Sequence, residues 1–338
     1  MLNRIIHTLE KIGFGWLTPV IRLCAGQAPK EQLPLIAKGI LVPILSVVLF
    51  CLVWAAAAPK VQTNIGTVPG PGEVFSQAGQ LWEDHKEHRE RRAQHAERQA
   101  ELQVRFEERF PDREWTPRPF TGSPSYMDQI VVSLKTVFAG FLIASFVAIP
   151  IGILCGMSST VYAGLNPIIQ ILKPVSPLAW LPIVMILVAA LYNPANPMFE
   201  RAFLSSAIVV ALCSLWPTLI NTAIGVSSVD KDHLNVAKVL KLGPATRIWK
   251  IILPSSLPYI FTGLRLSLGV GWMVLIAAEM LAQNPGLGKF IWDMYQSSSS
   301  STLAYIMVAV ITIGIIGFAL DRLMLTLQNL VSFEEKPG

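Results

Sequence analysis

The most informative segment of the sequence is Asn235–Pro258, which reads NVAKVLKLGPATRIWKIILPSSLP. It separates two strongly apolar runs, Phe203–Val226 and Ile260–Ala282, and its charged residues are all positive. Gly243 and Pro244 divide it into two halves with helical periodicity. Because glycine commonly ends a helix and proline begins one, the sequence predicts two short helices that meet at this step. A loop that only joined two apolar segments would not need such order.

The composition places the chain in a membrane. Of 338 residues, 52% are hydrophobic and 14% are charged, whereas a soluble domain has about 25% charged residues. Six nearly uncharged runs approach the roughly 20 residues that cross a bilayer. They are Gly39–Ala58, Val131–Met157, Val175–Leu191, Phe203–Val226, Ile260–Ala282 and Leu303–Leu320. Pro177 and Pro182 interrupt the third run. The sequence therefore predicts an all-α membrane protein with about six transmembrane helices.

The distribution of Lys and Arg in the short loops predicts the orientation. Residues 1–38 contain five of them, and the loop after the fourth run contains five more. The short loops after the third and fifth runs contain only Arg201 and Lys289. Both termini and the stretch Asn235–Pro258 are therefore predicted to be cytoplasmic. A cleaved signal peptide is not favoured, because 38 residues precede the first run and that run is too long.

The segment Pro59–Tyr126 is extracytoplasmic in this topology. Its ten Lys/Arg and eleven Asp/Glu nearly cancel, and loops longer than about 60 residues are translocated largely regardless of charge. Residues 82–110 lack Gly and Pro and carry opposite charges at helical spacing, which predicts an exported helix. Its histidines, His85, His88 and His95, could bind a metal ion. A solvated, salt-bridged helix face is the preferred interpretation, so no metal site is predicted.

No catalytic motif is present in the sequence. It contains no GxxxxGK[ST] phosphate loop, no HExxH, no GxSxG and no CxxC pair. We therefore predict no catalytic residue and no cofactor in this chain. A membrane protein of this kind is typically a transporter or channel subunit, whose energy comes from an ion gradient or from a partner.

The loop between the fourth and fifth runs has the features of a docking element. Ser227 or Ser228 can cap its first helix, whose face carries Leu234, Ala237 and Leu240, a set suited to a partner's groove. The second helix is predicted to begin at Pro244 and to end at Leu253, before Pro254. A cytoplasmic partner protein is one interpretation. An ordinary helix pair at the membrane surface is the other.

The same loop resembles the EAA loop of ABC importer permeases, whose pattern is E-A-A-x-x-x-G-x₉-I-x-L-P. When the two are aligned on IILP, the residues that match are Ala237, Ile251, Leu253 and Pro254. Asn235 and Val236 replace the family's Glu and first Ala, and Lys241 stands at its Gly. We expect Gly243, two residues later, to provide the turn and to adopt a positive φ.

The flanking sequences extend the resemblance over roughly residues 127–330. SPLAWLPIVMIL, PYIFTGLRLSLGVGWMVLIAAEML and GLGKFIWDMY are similar to permeases that import nitrate, cyanate or bicarbonate, and more distantly to those for sulfonates such as taurine. NVAKVLKL and AAEML are similar to the nitrate permeases in particular. The resemblance therefore implies a permease for a small anion, with nitrate favoured over cyanate, bicarbonate and sulfonates.

The resemblance also implies an architecture and a set of partners. The expected fold is that of a type I ABC importer permease in a bacterial inner membrane. A homodimer of permeases would contact two ATPase subunits, which hold the ATP and Mg, and an extracytoplasmic solute-binding protein; no nucleic acid is expected. The residues that would couple to the ATPase are Leu234, Asn235, Val236, Ala237, Leu240, Lys241, Leu242, Gly243 and Pro254.

The predicted division of the chain follows from these assignments. It consists of a cytoplasmic amphipathic segment (1–37), the first transmembrane helix (38–58), an extracytoplasmic helical insert (59–126), the permease core (127–331) with its coupling loop at about 227–255, and a cytoplasmic tail (332–338). The N-terminal segment could lie on the membrane surface or pack against the helices.

Charged and aromatic residues inside the spans are candidates for the translocation path. The five are Lys135, Trp180, Arg265, Trp272 and Glu279. Lys135 could attract anions or anchor its helix at the interface, and Arg265 could snorkel to the cytoplasmic side. A structural or gating role is preferred for Glu279, because an anion path has no obvious use for a carboxylate. The two tryptophans could gate the path or pack in the core.

Two other function classes remain open at this stage. An ion-gradient-driven secondary transporter or channel would need no ATPase and no docking helices. A membrane sensor would use the exported helix as its input, but no cytoplasmic signalling domain follows Leu330 in this sequence. Association with an ATPase subunit distinguishes the importer from both.

Overall fold

The computed structural model describes residues 18–25, 29–63, 66–110, 112–194, 197–230, 232, 235, 239–297 and 301–331. Within these ranges the chain is almost entirely helical, apart from a short antiparallel pair, β1 (Gln62–Thr63) and β2 (Gly66–Thr67). The helices are α1 (Thr18–Cys24), α2 (Pro29–Ile36), α3 (Val42–Ala57), α4 (Pro71–Arg109), α5 (Tyr126–Met157), α6 (Ser159–Leu172), α7 (Pro177–Leu191), α8 (Arg201–Ser227), α9 (Pro244–Arg247), α10 (Leu253–Ala282), α11 (Leu287–Ser297) and α12 (Thr302–Val331). Most of the predicted amphipathic segment and all of the tail 332–338 lie outside the described residues.

Long apolar helices account for most of the membrane-spanning part. Five helical segments in the described ranges are long and apolar enough to cross a bilayer: Glu31–Lys60, Tyr126–Met157, Arg201–Ser227, Pro244–Ala282 and Thr302–Val331. The pair α6–α7 makes a sixth if its two halves count as one span. The predicted class, an all-α membrane protein with about six transmembrane helices, is confirmed.

The third predicted span has a different form from the one expected. Val175–Leu191 is only the second half of a pair, in which α6 and α7 meet at an angle of 99°. Pro174 and Pro177 stand at the break, and Ser176 caps α7 by accepting a hydrogen bond from the amide of Leu178 at 3.3 Å. Proline cannot donate to the preceding turn, so the helix cannot run straight through this point.

Helix α8 is at the centre of the bundle and packs along both α5 and α10. Glycines allow the close approach of α5 to α8. A Cβ at Gly140 would lie 2.6 Å from the carbonyl oxygen of Ala207, and one at Gly152 would lie 2.6 Å from Cβ of Thr222. Small residues at helix contacts are how membrane helices gain van der Waals packing. The core around this contact includes the fully buried Val137.

The predicted end of the second loop helix before Pro254 is wrong. Helix α9 continues through a π-helical segment, Ile248–Ile252, directly into α10, which runs past Pro254 and Pro258 to Ala282. A π turn changes the backbone hydrogen-bond register from i−4 to i−5 just before the first proline. Prolines of this kind are tolerated in membrane helices when local adjustments satisfy the backbone. The second half of the loop, from Pro244, and the fifth span are therefore one continuous helical segment.

The insert contains a single long helix, α4, which begins at Pro71 rather than near Trp82 as predicted. Proline suits the first turn of a helix. Helix α4 therefore begins within the turn-rich segment that was expected to precede it. The first turns of α4 carry Val74 and Leu81, which are buried against the core. Helix α4 also contacts α12. The insert is thus anchored to the bundle by its first turns.

Candidate functional site

Glu279 forms a buried polar cluster at the C-terminal end of α10. Its side chain is 0% exposed, and both carboxylate oxygens accept from the Ser133 hydroxyl of α5, at 2.9 and 2.8 Å. The backbone amide of Gly288, in the first turn of α11, donates to Glu279 Oε2 at 3.0 Å. Ser133 Oγ also accepts from the amide of Leu287 at 2.9 Å. The carboxylate therefore joins α5, α10 and the start of α11.

The turn between α10 and α11 is shaped around this carboxylate. A Cβ on Gly286 would collide with the carboxylate group of Glu279, and one on Gly288 would lie 2.9 Å from its Cβ. Asn284, also buried, donates to Thr136 Oγ1 at 3.1 Å and adds a second link to α5. These contacts match the structural role that the sequence favours for Glu279; a gating role stays a prediction.

Arg265 forms a two-pronged ion pair with Asp321. Its Nε donates to Asp321 Oδ1 at 2.6 Å, and its Nη2 donates to Asp321 Oδ2 at 2.9 Å. Asp321 lies on α12, so the pair links the fifth and the last spans. The side chains are 33% and 38% exposed, respectively. Asp321 therefore gives the guanidinium a carboxylate partner, while the expected snorkelling of Arg265 stays a prediction.

The two candidate tryptophans differ in their surroundings. Trp272 is buried, and its indole N–H donates to the carbonyl oxygen of Ile313 on α12 at 3.0 Å. Trp180 is half-buried and packs against the main hydrophobic core. Both side chains pack in or against the core, and a gating role for either tryptophan stays a prediction.

Lys135 lies in the N-terminal part of α5, beside the insert. It lines a cleft of about 450 Å³ together with His88, Arg92 and Asp128, among other residues. His88 Nδ1 is 3.7 Å from Asp128 Oδ2, and His85 Nδ1 is 2.8 Å from Ser125 Oγ. These histidines face α5 and its cap, so the predicted solvated face is wrong for them. Among the described residues, no three metal-ligating side chains are grouped as a metal site requires.

The backbone of the loop between α8 and α9 corrects the predicted turn. Lys241 has φ +50°, whereas Gly243 has φ −62° and caps α9. The left-handed region strongly favours glycine, and Lys241 is the residue aligned with the family's Gly. Lys241, and not Gly243, therefore makes the turn. A Cβ at Gly243 would meet no atom within 4 Å, so no backbone strain is expected from a side chain there.

The described part of the loop presents apolar side chains to solvent. Val239, Leu240 and Trp249 are 81%, 63% and 70% exposed. Asn235 and Lys241 are also exposed, while Leu242 is half-buried. Three of the predicted coupling residues, Leu234, Val236 and Ala237, lie outside the described residues. Exposed apolar residues next to basic ones form a surface suited to a partner protein.

Sequence reasoning missed two of the residues that complete these clusters. Asp321 is one residue beyond the predicted sixth span, Leu303–Leu320, and was therefore not considered as an intramembrane charge. Extending that run by one helical turn would have included it. Ser133 is an ordinary small polar residue in an apolar helix, and only the three-dimensional structure brings it to Glu279, 146 positions later in the chain.

The sequence is similar to that of known transport proteins. Residues 148–332 match the family described as binding-protein-dependent transport system inner membrane component. The nitrate import permease protein NrtB of Synechococcus elongatus is 39% identical over 204 residues, which cover 60% of this chain and 69% of that protein. The bicarbonate transport system permease protein CmpB of the same organism is 34% identical over 292 residues, covering 86% and 89%.

The fold is also similar to that of a solved structure. A chain of the MetNI methionine ABC transporter, in inward-facing conformations, superimposes with a TM-score of 0.52 at 12% sequence identity. The superposition covers 61% of this chain and 96% of the other. At this identity the likeness concerns the fold alone.

Proposed function

Because this chain belongs to the family of binding-protein-dependent transport system inner membrane components, we propose that it is the permease subunit of an ATP-driven importer of nitrate. The observation that carries this proposal is its similarity to NrtB proteins, which are 39% identical over 204 residues in Synechococcus elongatus and 42% identical over 203 residues in Synechocystis sp.. Cyanate and the sulfonate taurine are weaker alternatives that rest on sequence resemblance alone.

Bicarbonate is the second candidate substrate, and one observation favours it. The match to CmpB covers 86% of this chain and extends beyond the permease core, whereas the match to NrtB of Synechococcus elongatus covers 60%. Nitrate and bicarbonate are both small planar oxyanions. A single path could therefore suit either, and a solute-binding protein would select between them.

The cytoplasmic loop is the proposed coupling site to separate ATPase subunits. The left-handed Lys241, at the position of the family's Gly, supports the alignment that assigns Leu234–Ala237, Leu240–Gly243 and Pro254 to this site. The continuous helix from Pro244 to Ala282 supports a mechanical role, since a movement of the loop would reach the middle of the membrane without a hinge at Pro254. ATP and Mg would bind to the partner subunits, and no cofactor would bind here.

The remaining partners and the orientation complete the proposal. The chain would form a homodimer in a bacterial inner membrane, with both termini cytoplasmic, and would receive its substrate from an extracytoplasmic solute-binding protein. We also retain the predicted division into segments 1–37, 38–58, 59–126, 127–331 and 332–338. Lys135, Trp180, Arg265, Trp272 and Glu279 remain the candidate residues of the translocation path.

The topology predicts that α4 is accessible from outside the inner membrane. In a variant with its four native cysteines replaced, a cysteine at the exposed Gln94 is expected to react with an impermeant maleimide in intact spheroplasts. A cysteine at Val239, which is 81% exposed on the opposite side, should react only after lysis. The reverse pattern would overturn the orientation.

The proposed substrate is tested by uptake in cells that lack the endogenous chain. Re-expression should restore ATP-dependent nitrate uptake at low external concentration. Excess unlabelled nitrate should compete, whereas taurine should not. Restored uptake of bicarbonate with no uptake of nitrate would leave the importer in place and replace its substrate. Restored uptake of neither anion would contradict the proposal.

A further inference from the structure

The Arg265–Asp321 pair lies within the helices α10 and α12, close to one end of the predicted spans. Arg265 is five residues after Ile260, the start of the fifth predicted span, which corresponds to about 8 Å of helix. Both side chains are about one-third exposed, so they lie on a face of the bundle and not within its core. The pair therefore lies near the loop end of these spans, on a surface that the single chain leaves open.

Such a surface is not suited to contact lipid. Charged side chains inside a bilayer are costly and almost always face a bundle interior or a water-filled cavity. The pair lines a cleft of about 590 Å³ between α10 and α12, beside Gly269, Met273 and Gln328. A smaller cleft of about 230 Å³ continues from the same pair towards Trp272 and Gly317. Water or a second copy of the chain must therefore cover this face.

The guanidinium of Arg265 has hydrogen-bonding capacity beyond this pair. Arginine has five N–H donors in a planar fork, and Asp321 accepts two of them. A carboxylate, a nitrate ion and a bicarbonate ion all present two oxygens on one planar centre. The fork that binds Asp321 would therefore bind either small anion with the same pair of parallel hydrogen bonds.

We propose that Arg265 is an anion-binding residue of the translocation path, and that Asp321 occupies its guanidinium until the transported oxyanion displaces it. Arg265 keeps an anionic partner before, during and after passage, while the displaced Asp321 carboxylate remains in the open cleft, where it is 38% exposed and can be hydrated. Return of Asp321 then expels the anion. This inference rests on the proposed function, since it needs a planar oxyanion as the substrate.

A matched set of variants separates this exchange from a purely structural ion pair. Asp321→Asn removes the internal competitor and keeps the shape of the side chain. Arg265→Lys keeps the charge but loses the planar fork, so it is not a conservative change at a two-pronged site. Arg201→Gln is the control, because it removes an exposed cation that donates to Asn193 and does not line the cleft.

The measurements are the half-saturating nitrate concentration and maximal rate of the reconstituted complex. For Asp321→Asn, both are expected to fall about tenfold, the effect of losing one charge-assisted hydrogen-bond competitor. For Arg265→Lys, the half-saturating concentration should rise about tenfold and the preference for nitrate over chloride should fall. Arg201→Gln should match the wild type. Normal half-saturation in Asp321→Asn, or in the double variant Arg265→Gln/Asp321→Asn, would overturn the proposal.

A second readout does not depend on transport. Nitrate should raise the thermal unfolding midpoint of the detergent-solubilised Asp321→Asn chain more than that of the wild type, because Arg265 is then free of its competitor. Equal shifts in the two proteins would refute the exchange, whether or not the complex transports nitrate. If the wild-type complex transports no anion while this difference is present, the proposed function fails and the anion site stands.

Discussion

Replacing Glu279 by alanine is expected to destabilise the chain severely. The change leaves the Ser133 hydroxyl and the Gly288 amide without their shared acceptor, and it opens a cavity in a site that is 0% exposed to solvent. A buried group left without a partner costs about 1–3 kcal/mol, and the lost packing adds to it, so a loss of about 3–5 kcal/mol is expected. The measurement is the thermal unfolding midpoint of the purified chain in detergent.

Glu279→Gln is the matched control for this prediction. Glutamine keeps the volume and one carbonyl oxygen, which can accept from the Gly288 amide, while Ser133 can accept from the new NH₂ group. We expect a loss of about 1 kcal/mol, much smaller than that of alanine. An unfolding midpoint of Glu279→Ala equal to that of the wild type would show that the hydrogen bonds of Glu279 do not stabilise the contact between α5, α10 and α11.

Ala237→Glu is expected to abolish association with the ATPase without unfolding the chain. The alignment that assigns Lys241 to the family's Gly also assigns Ala237 to its second Ala. Glutamate is nearly as good a helix former as alanine, but a carboxylate pressed into a partner's groove without a counter-charge costs roughly several kcal/mol. Recovery of the ATPase subunit with the tagged chain should therefore fall to background.

One variant controls the docking experiment. Gln94→Glu adds the same carboxylate to the exposed α4 and should leave ATPase recovery unchanged. Gly243→Val is not a docking control, because Gly243 is itself one of the proposed coupling residues; it should have little effect on the fold, because Gly243 has an ordinary φ of −62° and open space around it. Wild-type recovery with Ala237→Glu would mean that this residue does not contact the ATPase and that the alignment of the loop is wrong.

Hydropathy predicted the transmembrane part of the fold well, because the bilayer imposes a length and a composition on each span. Both errors in the spans involve prolines. Pro174 and Pro177 bend one candidate span by 99°, while Pro254 and Pro258 leave another continuous. The sequence marks all four as potential breaks. Only the neighbouring hydrogen bonds, such as those of the π-helical segment Ile248–Ile252, decide whether the helix ends.

The candidate sites were less predictable, since their partners are distant in sequence. Arg265 and Glu279 stand out as charges in an apolar helix, and both could be selected without a structure. Their partners, Asp321 and Ser133, are 56 and 146 positions away, and no spacing rule connects them. The turn residue of the loop was also misassigned, because glycine preference pointed to Gly243 while the family alignment already pointed to Lys241.

Reconstitution in liposomes separates a permease that is driven by ATPase subunits from a secondary transporter. The purified chain is reconstituted with and without its ATPase subunits, and nitrate accumulation is followed with a solute-binding protein present. We expect accumulation only with the ATPase subunits and ATP, and no ATP hydrolysis by the chain alone. Accumulation by the chain alone, driven by an ion gradient, would contradict it and would indicate a secondary transporter.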